Sequence, residues 1–224
     1  SKEQYFYRNK MEFSFSDSKW LTLKQIQSGE EITDRNALGF HIPGMWDKIL
    51  DIDECHLQRD PSNAIRNGIK EFAKANDMAF FNTRNQEGLL RTLMIRTSST
   101  GEVMVLIQFY EDDRAKRELL LNYVKETFTA VTSLLYVINQ KGNDTIYDQQ
   151  VICFAGKDNI FEEMEGLKFK INALPEPMGV DIHSPAWSHF ELSQPFRCGR
   201  QRFVLQKAGE ARRFRRENLG QGTL

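Results

Sequence analysis

The chain has 224 residues, 40% of them hydrophobic and 11% aromatic, and a formal net charge of −1. Such a length makes one large or two small domains and permits a sizeable core. The near-zero charge excludes a global basic field for nucleic acid, and the lack of any run of about 18 apolar residues argues against a membrane-spanning helix.

Three widely spaced cysteines, Cys55, Cys153 and Cys198, do not make a disulfide framework, so a reducing cytoplasm is expected. Ser1-Lys2-Glu3-Gln4 has no apolar core of a secretory leader. Charge is unevenly spread. Residues 173–224 carry eight of the 30 Lys/Arg and five of the 31 Asp/Glu, net +3, which leaves 22 against 26, net −4, before them.

In chain order, a strand is predicted over residues 5–15. Strand side chains alternate between faces. Arg8, Lys10, Glu12 and Ser14 would share a polar face, and Tyr7, Asn9, Met11, Phe13 and Phe15 a largely apolar one. Strands at 37–42 and 47–52 follow. Asp60-Pro61-Ser62-Asn63 reads as a helix start, and Ile65, Ile69, Phe72 and Ala73 form an amphipathic stripe that ends at Asn76-Asp77. Strands at about 89–98 and 103–109 are expected to pair across Ser98-Ser99-Thr100-Gly101. Asp112 or Asp113 caps a second helix through about Ala130, with its stripe at Leu119, Leu120, Tyr123, Val124 and Phe128. Strands at 133–138 and 146–154 flank a turn at Lys141-Gly142-Asn143-Asp144.

The predicted fold class is therefore α+β: a mostly antiparallel sheet with two main helices on one face. A poorly patterned tail follows. Four of the six prolines (Pro175, Pro177, Pro185, Pro195) and the cluster Arg212-Arg213-Phe214-Arg215-Arg216 lie in it, a composition that disfavours a packed core. Two units are expected, 1–172 and an irregular tail over 173–224, the tail being disordered, out of frame after Asn172 or a genuine divergent end.

Several residue clusters invite a chemical reading. Asp51, Asp53, Glu54, Cys55 and His56 include metal-ligating types, but a strand sends neighbours to opposite faces, so all five cannot converge on one ion. A solvated strand end is the plain alternative. Arg8, Lys10, Arg91 and Arg96 fall on strands expected to lie side by side. Facing outward together, they would form a basic strip suited to phosphates, with arginine adding bidentate bonds and stacking. The alternative is ordinary exposed cations balancing Glu12 and Glu102. Cys153, in Val151-Ile152-Cys153-Phe154, is expected to be a buried, inert thiol. His41 beside a Pro-Gly turn reads as structural. Trp20, Trp46 and Trp187 read as core or rim residues, and Arg212–Arg216 as a solvated run.

The wording of the segments adds to their periodicity. Tyr7-Arg8-Asn9-Lys10-Met11-Glu12-Phe13-Ser14-Phe15 resembles the strand that opens the central domain of the RNA (uracil-5-)-methyltransferases, the SAM-dependent 23S rRNA and tRNA family. Leu38-Gly39-Phe40-His41 is similar to the family's Gly-Phe hairpin, and Ile49 to Leu57 to its strand ending in acidic-Cys. Leu90-Arg91-Thr92-Leu93-Met94-Ile95-Arg96 is similar to its Leu-Arg-x-Leu-x-x-Arg strand, with Gly101 to Ile107 as hairpin partner. The resemblance runs from about Tyr5 to about Asn172.

The resemblance implies a parent that transfers a methyl group from SAM to C5 of a uridine in RNA, with 23S rRNA as the partner and neither DNA nor membrane. It implies an RNA-binding role for Arg8, Lys10, Arg91 and Arg96. It also matches Cys55 to the fourth ligand position of the 4Fe–4S cluster that some members carry. The other three cluster cysteines, the glycine-rich SAM loop and the nucleophilic Cys have no match here, so this chain alone is expected to bind no cofactor and to be inactive. A stand-alone RNA-binding or assembly module, and an interaction domain without an RNA role, are the rival readings.

Overall fold

The computed structural model describes residues 4–174 and two short strands beyond them. β1 (Lys10–Ser16) buries Met11, Phe13 and Phe15 and turns Lys10, Glu12 and Ser14 the other way, the alternation its sequence predicts. It starts later than expected. Residues 5–8 do not join the ladder, and Asn9 meets it only through its carbonyl, which accepts from Thr97 N–H at 2.9 Å. Phe6 adopts a positive φ of 56°, and the segment bonds to residues 56 and 57 through Phe6 N–H to His56 O (2.8 Å) and Arg8 N–H to Leu57 O (2.9 Å). Tyr7 and Asn9 are consequently exposed rather than on the apolar face.

A five-residue helix that the sequence reading missed, α1 (Leu23–Gln27), follows, closed by a capping box between Thr22 and Gln25. β2 (Ala37–Ile42) and β3 (Met45–Asp51) form a hairpin. Gly39 is required in it, because a Cβ there would sit 1.9 Å from the Leu50 carbonyl oxygen. α2 (Ser62–Ala75) presents Ile65, Ile69 and Ala73 to the core. Ser62 does not cap it; its hydroxyl donates to Gln58 Oε1 at 2.6 Å.

β4 (Leu90–Thr97) and β5 (Val103–Phe109) pair through the expected hairpin, with Gly101 at φ 82°. α3 (Arg114–Thr127) is capped by the Asp113 side chain accepting from Lys116 N–H at 3.0 Å. It crosses over to β6 (Val131–Ile138), which runs parallel to β5. β7 (Ile152–Gly156) closes the sheet. The strand order is β3-β2-β1-β4-β5-β6-β7, antiparallel except for β5–β6, and α2 and α3 lie over one face.

The opposite face was not anticipated as a second core. Met94, Met104, Leu106, Leu135, Val137 and Ile160 cluster there, beneath the ribbon of β8 (Asn159–Met164) and β9 (Leu167–Asn172). Residues 146–151, predicted as strand, leave the sheet so that Ile146 and Val151 pack against this cluster. With both faces covered, all seven residues of β5 are buried, as a strand of near-continuous apolar residues requires.

The helices meet through Phe72 stacked on Tyr123 (centroids 3.9 Å, planes 13° apart) and Tyr123 edge-on to Phe128. Beyond residue 174, β10 (Phe196–Cys198) and β11 (Gln201–Phe203) pair antiparallel. The rest of the expected irregular tail, including Trp187 and the Arg212–Arg216 cluster, lies outside the described residues. No helix among the described residues is long and apolar enough to cross a membrane.

Candidate nucleic-acid interface

The four cations expected to form a strip are separated by the fold. Lys10 and Arg96 are directly opposed across β1 and β4, on the face away from the helices. Lys10 pairs with Glu12 at 2.6 Å. Arg96 is half-buried and donates to Asn172 O at 3.4 Å. Desolvation holds its pKa below the ordinary arginine value, with Glu12 opposing; the group remains charged at neutral pH. Arg8 sits beyond the start of β1, its guanidinium 5.9 Å from the Tyr7 ring centroid.

Arg91 lies at the far end of β4 and is buried at 5% exposure. A β-bulge between Leu90 and Thr92 redirects it. Its guanidinium donates to Asn139 O (3.0 Å) and Lys141 O (2.7 Å) and rests over Phe81 at 4.7 Å. Asn139 and Gln108 reach the same loop, donating to Asn143 O, Thr145 O and Asp144 O. Arg91 thus organises the loop after β6 and does not stand beside Lys10 and Arg96. Glu102, expected to balance the strip, pairs with Lys157 at 2.8 Å.

Sequence reasoning missed an aromatic and cationic cluster at the chain's approach to β1. Tyr5, Phe6 and Tyr7 are all exposed. His56 meets Tyr5 and Phe6 edge-on at 5.9 and 6.3 Å, and the Arg59 guanidinium lies 5.9 Å from the Phe6 ring. The signal was present in the text: three consecutive aromatics cannot all share the inner face of a strand. Glu54, 3.6 Å from His56 Nδ1, adds a carboxylate to the same surface.

Behind this surface the acidic-Cys segment is pinned to α2. Asn63 bonds Cys55 reciprocally, accepting from Cys55 N–H (2.8 Å) and donating to Cys55 O (3.2 Å). Arg66 is completely buried; it donates to Asn63 Oδ1 and Asp53 O and lies 5.1 Å from the Phe13 ring. Lys70 bridges Asp51 (3.2 Å) and Asp53 (3.1 Å), and Lys19 holds the other oxygen of Asp51 at 2.8 Å.

Cys55 is a free thiol, 4% exposed. Among the described residues no three His, Cys, Asp or Glu converge as metal ligands. They therefore do not fit a 4Fe–4S cluster, which needs several converging thiolates.

Cys153 corrects an expectation, since it is exposed. Its apolar neighbourhood implied a central strand, but β7 is an edge strand with little laid over it. Partial desolvation still raises its thiol pKa, with Asp158 reinforcing the shift.

No family model matches the chain. It is 54% identical over 180 residues to an uncharacterized RNA methyltransferase of Porphyromonas gingivalis, covering 77% of this chain and 38% of the relative. It is 50% identical over 194 residues to one of Bacteroides thetaiotaomicron, covering 85% and 42%. Over this span the chain is homologous to RNA methyltransferases, and it spans about two fifths of their length. Among solved structures, the Pyrococcus abyssi tRNA (uracil-54, C5)-methyltransferase in complex with S-adenosyl-L-homocysteine shares the fold, with TM-score 0.56 and 23% identity over 77% of this chain and 37% of that one. That likeness is one of fold.

Proposed function

We propose that this chain is the RNA-gripping segment of an enzyme that transfers a methyl group from SAM to C5 of a uridine in cytoplasmic RNA, 23S rRNA being the leading substrate. The 54% identity to an RNA methyltransferase carries the reading. Lys10 and Arg96, joined at one end by Arg8, supply the phosphate-facing cations; Arg91 acts from behind by fixing the loop after β6.

Methylation of uracil at C5 needs a thiolate that adds to C6 and a base that removes the C5 proton. Cys55 is buried, and the pKa of the exposed Cys153 thiol is pushed up by desolvation and by the Asp158 carboxylate, the opposite of what a nucleophilic thiolate needs. The described residues do not fit SAM either: the parallel strand pair, β5 and β6, leads into Tyr110-Glu111-Asp112-Asp113 and into the 139–145 loop, neither of them a glycine-rich turn. Chemistry is therefore assigned to the parts of the relatives that this chain does not span, and the segment's share is RNA binding.

The test is RNA affinity measured across salt concentrations. The wild-type chain should bind with a log–log slope reflecting several phosphates, and Lys10→Ala with Arg96→Ala should reduce that slope by about 1.4–1.8. Unchanged affinity and slope would discard the strip. Methyl transfer from SAM to RNA by the isolated chain would overturn the division of labour.

A further inference from the structure

Three consecutive aromatic side chains stand in solvent at the approach to β1: Tyr5 at 60%, Phe6 at 38% and Tyr7 at 52% exposure. Single exposed apolar residues need no explanation, but a contiguous patch marks a binding surface. The backbone is built to display these rings. Phe6 has a positive φ, a conformation that a bulky residue adopts only when its surroundings hold it there. The two hydrogen bonds to His56 O and Leu57 O provide that hold. The reversal breaks strand alternation, so Tyr5 and Phe6 both reach His56 instead of pointing to opposite sides.

Cations are interleaved with the rings. Arg8 lies over Tyr7 and Arg59 over Phe6. Glu12 and Glu54 sit among them, so the local field is too mixed to grip a duplex through phosphates alone. Rings and guanidinium planes stack well on nucleobases, but in an A-form duplex the base faces are hidden.

We infer that Tyr5, Phe6, Tyr7 and His56 form a stacking platform for unpaired bases of single-stranded RNA, with Arg8, Lys10 and Arg59 following its backbone. This deepens the RNA-binding reading above and rests on it.

The experiment uses the full chain and fluorescence anisotropy with a labelled single-stranded RNA of about ten nucleotides and the same sequence as a duplex. Wild type should bind the single strand about tenfold tighter or better. Tyr5→Leu with Tyr7→Leu should lose at least about tenfold with the salt slope unchanged, whereas Tyr5→Phe with Tyr7→Phe should stay within about twofold. These side chains are exposed, so folding is not at risk. Equal affinity for the two RNAs overturns the platform. So does wild-type binding by the leucine pair while Lys10→Ala with Arg96→Ala weakens it; that result leaves the RNA reading standing and assigns the patch to protein packing, which leucine satisfies. No RNA binding by wild type overturns both.

Discussion

Asp51 sets the geometry behind the interface, and its removal should be costly. One oxygen accepts from Lys70 Nζ (3.2 Å) and from Leu38 N–H (3.1 Å), the other from Lys19 Nζ (2.8 Å). Leu38 is fully buried, and the Lys70 side chain is only 6% exposed. Asp51→Ala leaves a buried N–H without its acceptor, at about 1–3 kcal/mol. It also strips a buried ammonium of its main partner, at about 3–5 kcal/mol. The two costs overlap, and Lys70 keeps exposed Asp53, so a total near 4 kcal/mol is expected. Asp51→Asn preserves the Leu38 bond and should cost about 2 kcal/mol.

The loss should depend on pH. Burial by itself would raise the Asp51 pKa, but bonding to Lys19 and to Leu38 N–H and the charge of Lys70 outweigh it, so the folded value is lowered. A lowered folded pKa means stability that is fully present above the unfolded carboxylate value of about 3.9 and lost as pH falls through the folded value. Urea unfolding of wild type and Asp51→Asn, followed by far-UV circular dichroism, should give a constant difference from about pH 5 to 8 that shrinks below about pH 4. A difference under about 0.5 kcal/mol at neutral pH, or one that persists unchanged into strong acid, would refute the reasoning.

Gly39→Ala places a Cβ 1.9 Å from the Leu50 carbonyl oxygen, so β2 and β3 must separate; a loss of about 3 kcal/mol in the same urea assay is expected, and a neutral result would contradict the packing. Maleimide labelling of the native chain at mildly alkaline pH, read by peptide mass spectrometry, should modify exposed Cys153 and spare Cys55 until denaturant is added. Arg91→Met should free the 139–145 loop from two of its carbonyl bonds and raise proteolytic nicking there while leaving the salt slope of RNA binding unchanged; a reduced slope would place Arg91 on the RNA instead.

Much of this architecture was legible in the text because the signals were local. Met11, Phe13 and Phe15 alternate, Asp113 caps, and Ile65 with Ile69 forms a helical stripe, each set by neighbours within a turn or a strand. The misses were tertiary. An apolar run such as Val151 to Phe154 reads the same whether its strand is central or at the edge, so the exposure of Cys153 could not be read from it. The second core depended on the β8–β9 ribbon folding back over β4–β6, which no periodicity announces. At the candidate interface, cross-strand register joined Lys10 to Arg96 as the strand pairing implied. A single bulge after Leu90 sent Arg91 elsewhere, and the φ of Phe6 took Tyr7 out of the sheet.

β5 is buried along its whole length, with β4 and β6 on either side and a layer over each face. Its amides can meet solvent deuterium only when the domain opens as a whole. The aromatic approach to β1 is tied down by two backbone bonds to residues 56 and 57, so it can detach and reseat while that centre stays closed. Rigidity and adaptability are thereby assigned to different strands of one sheet, and a bound ligand would register as slowed exchange at Phe6 and Arg8 with none at β5.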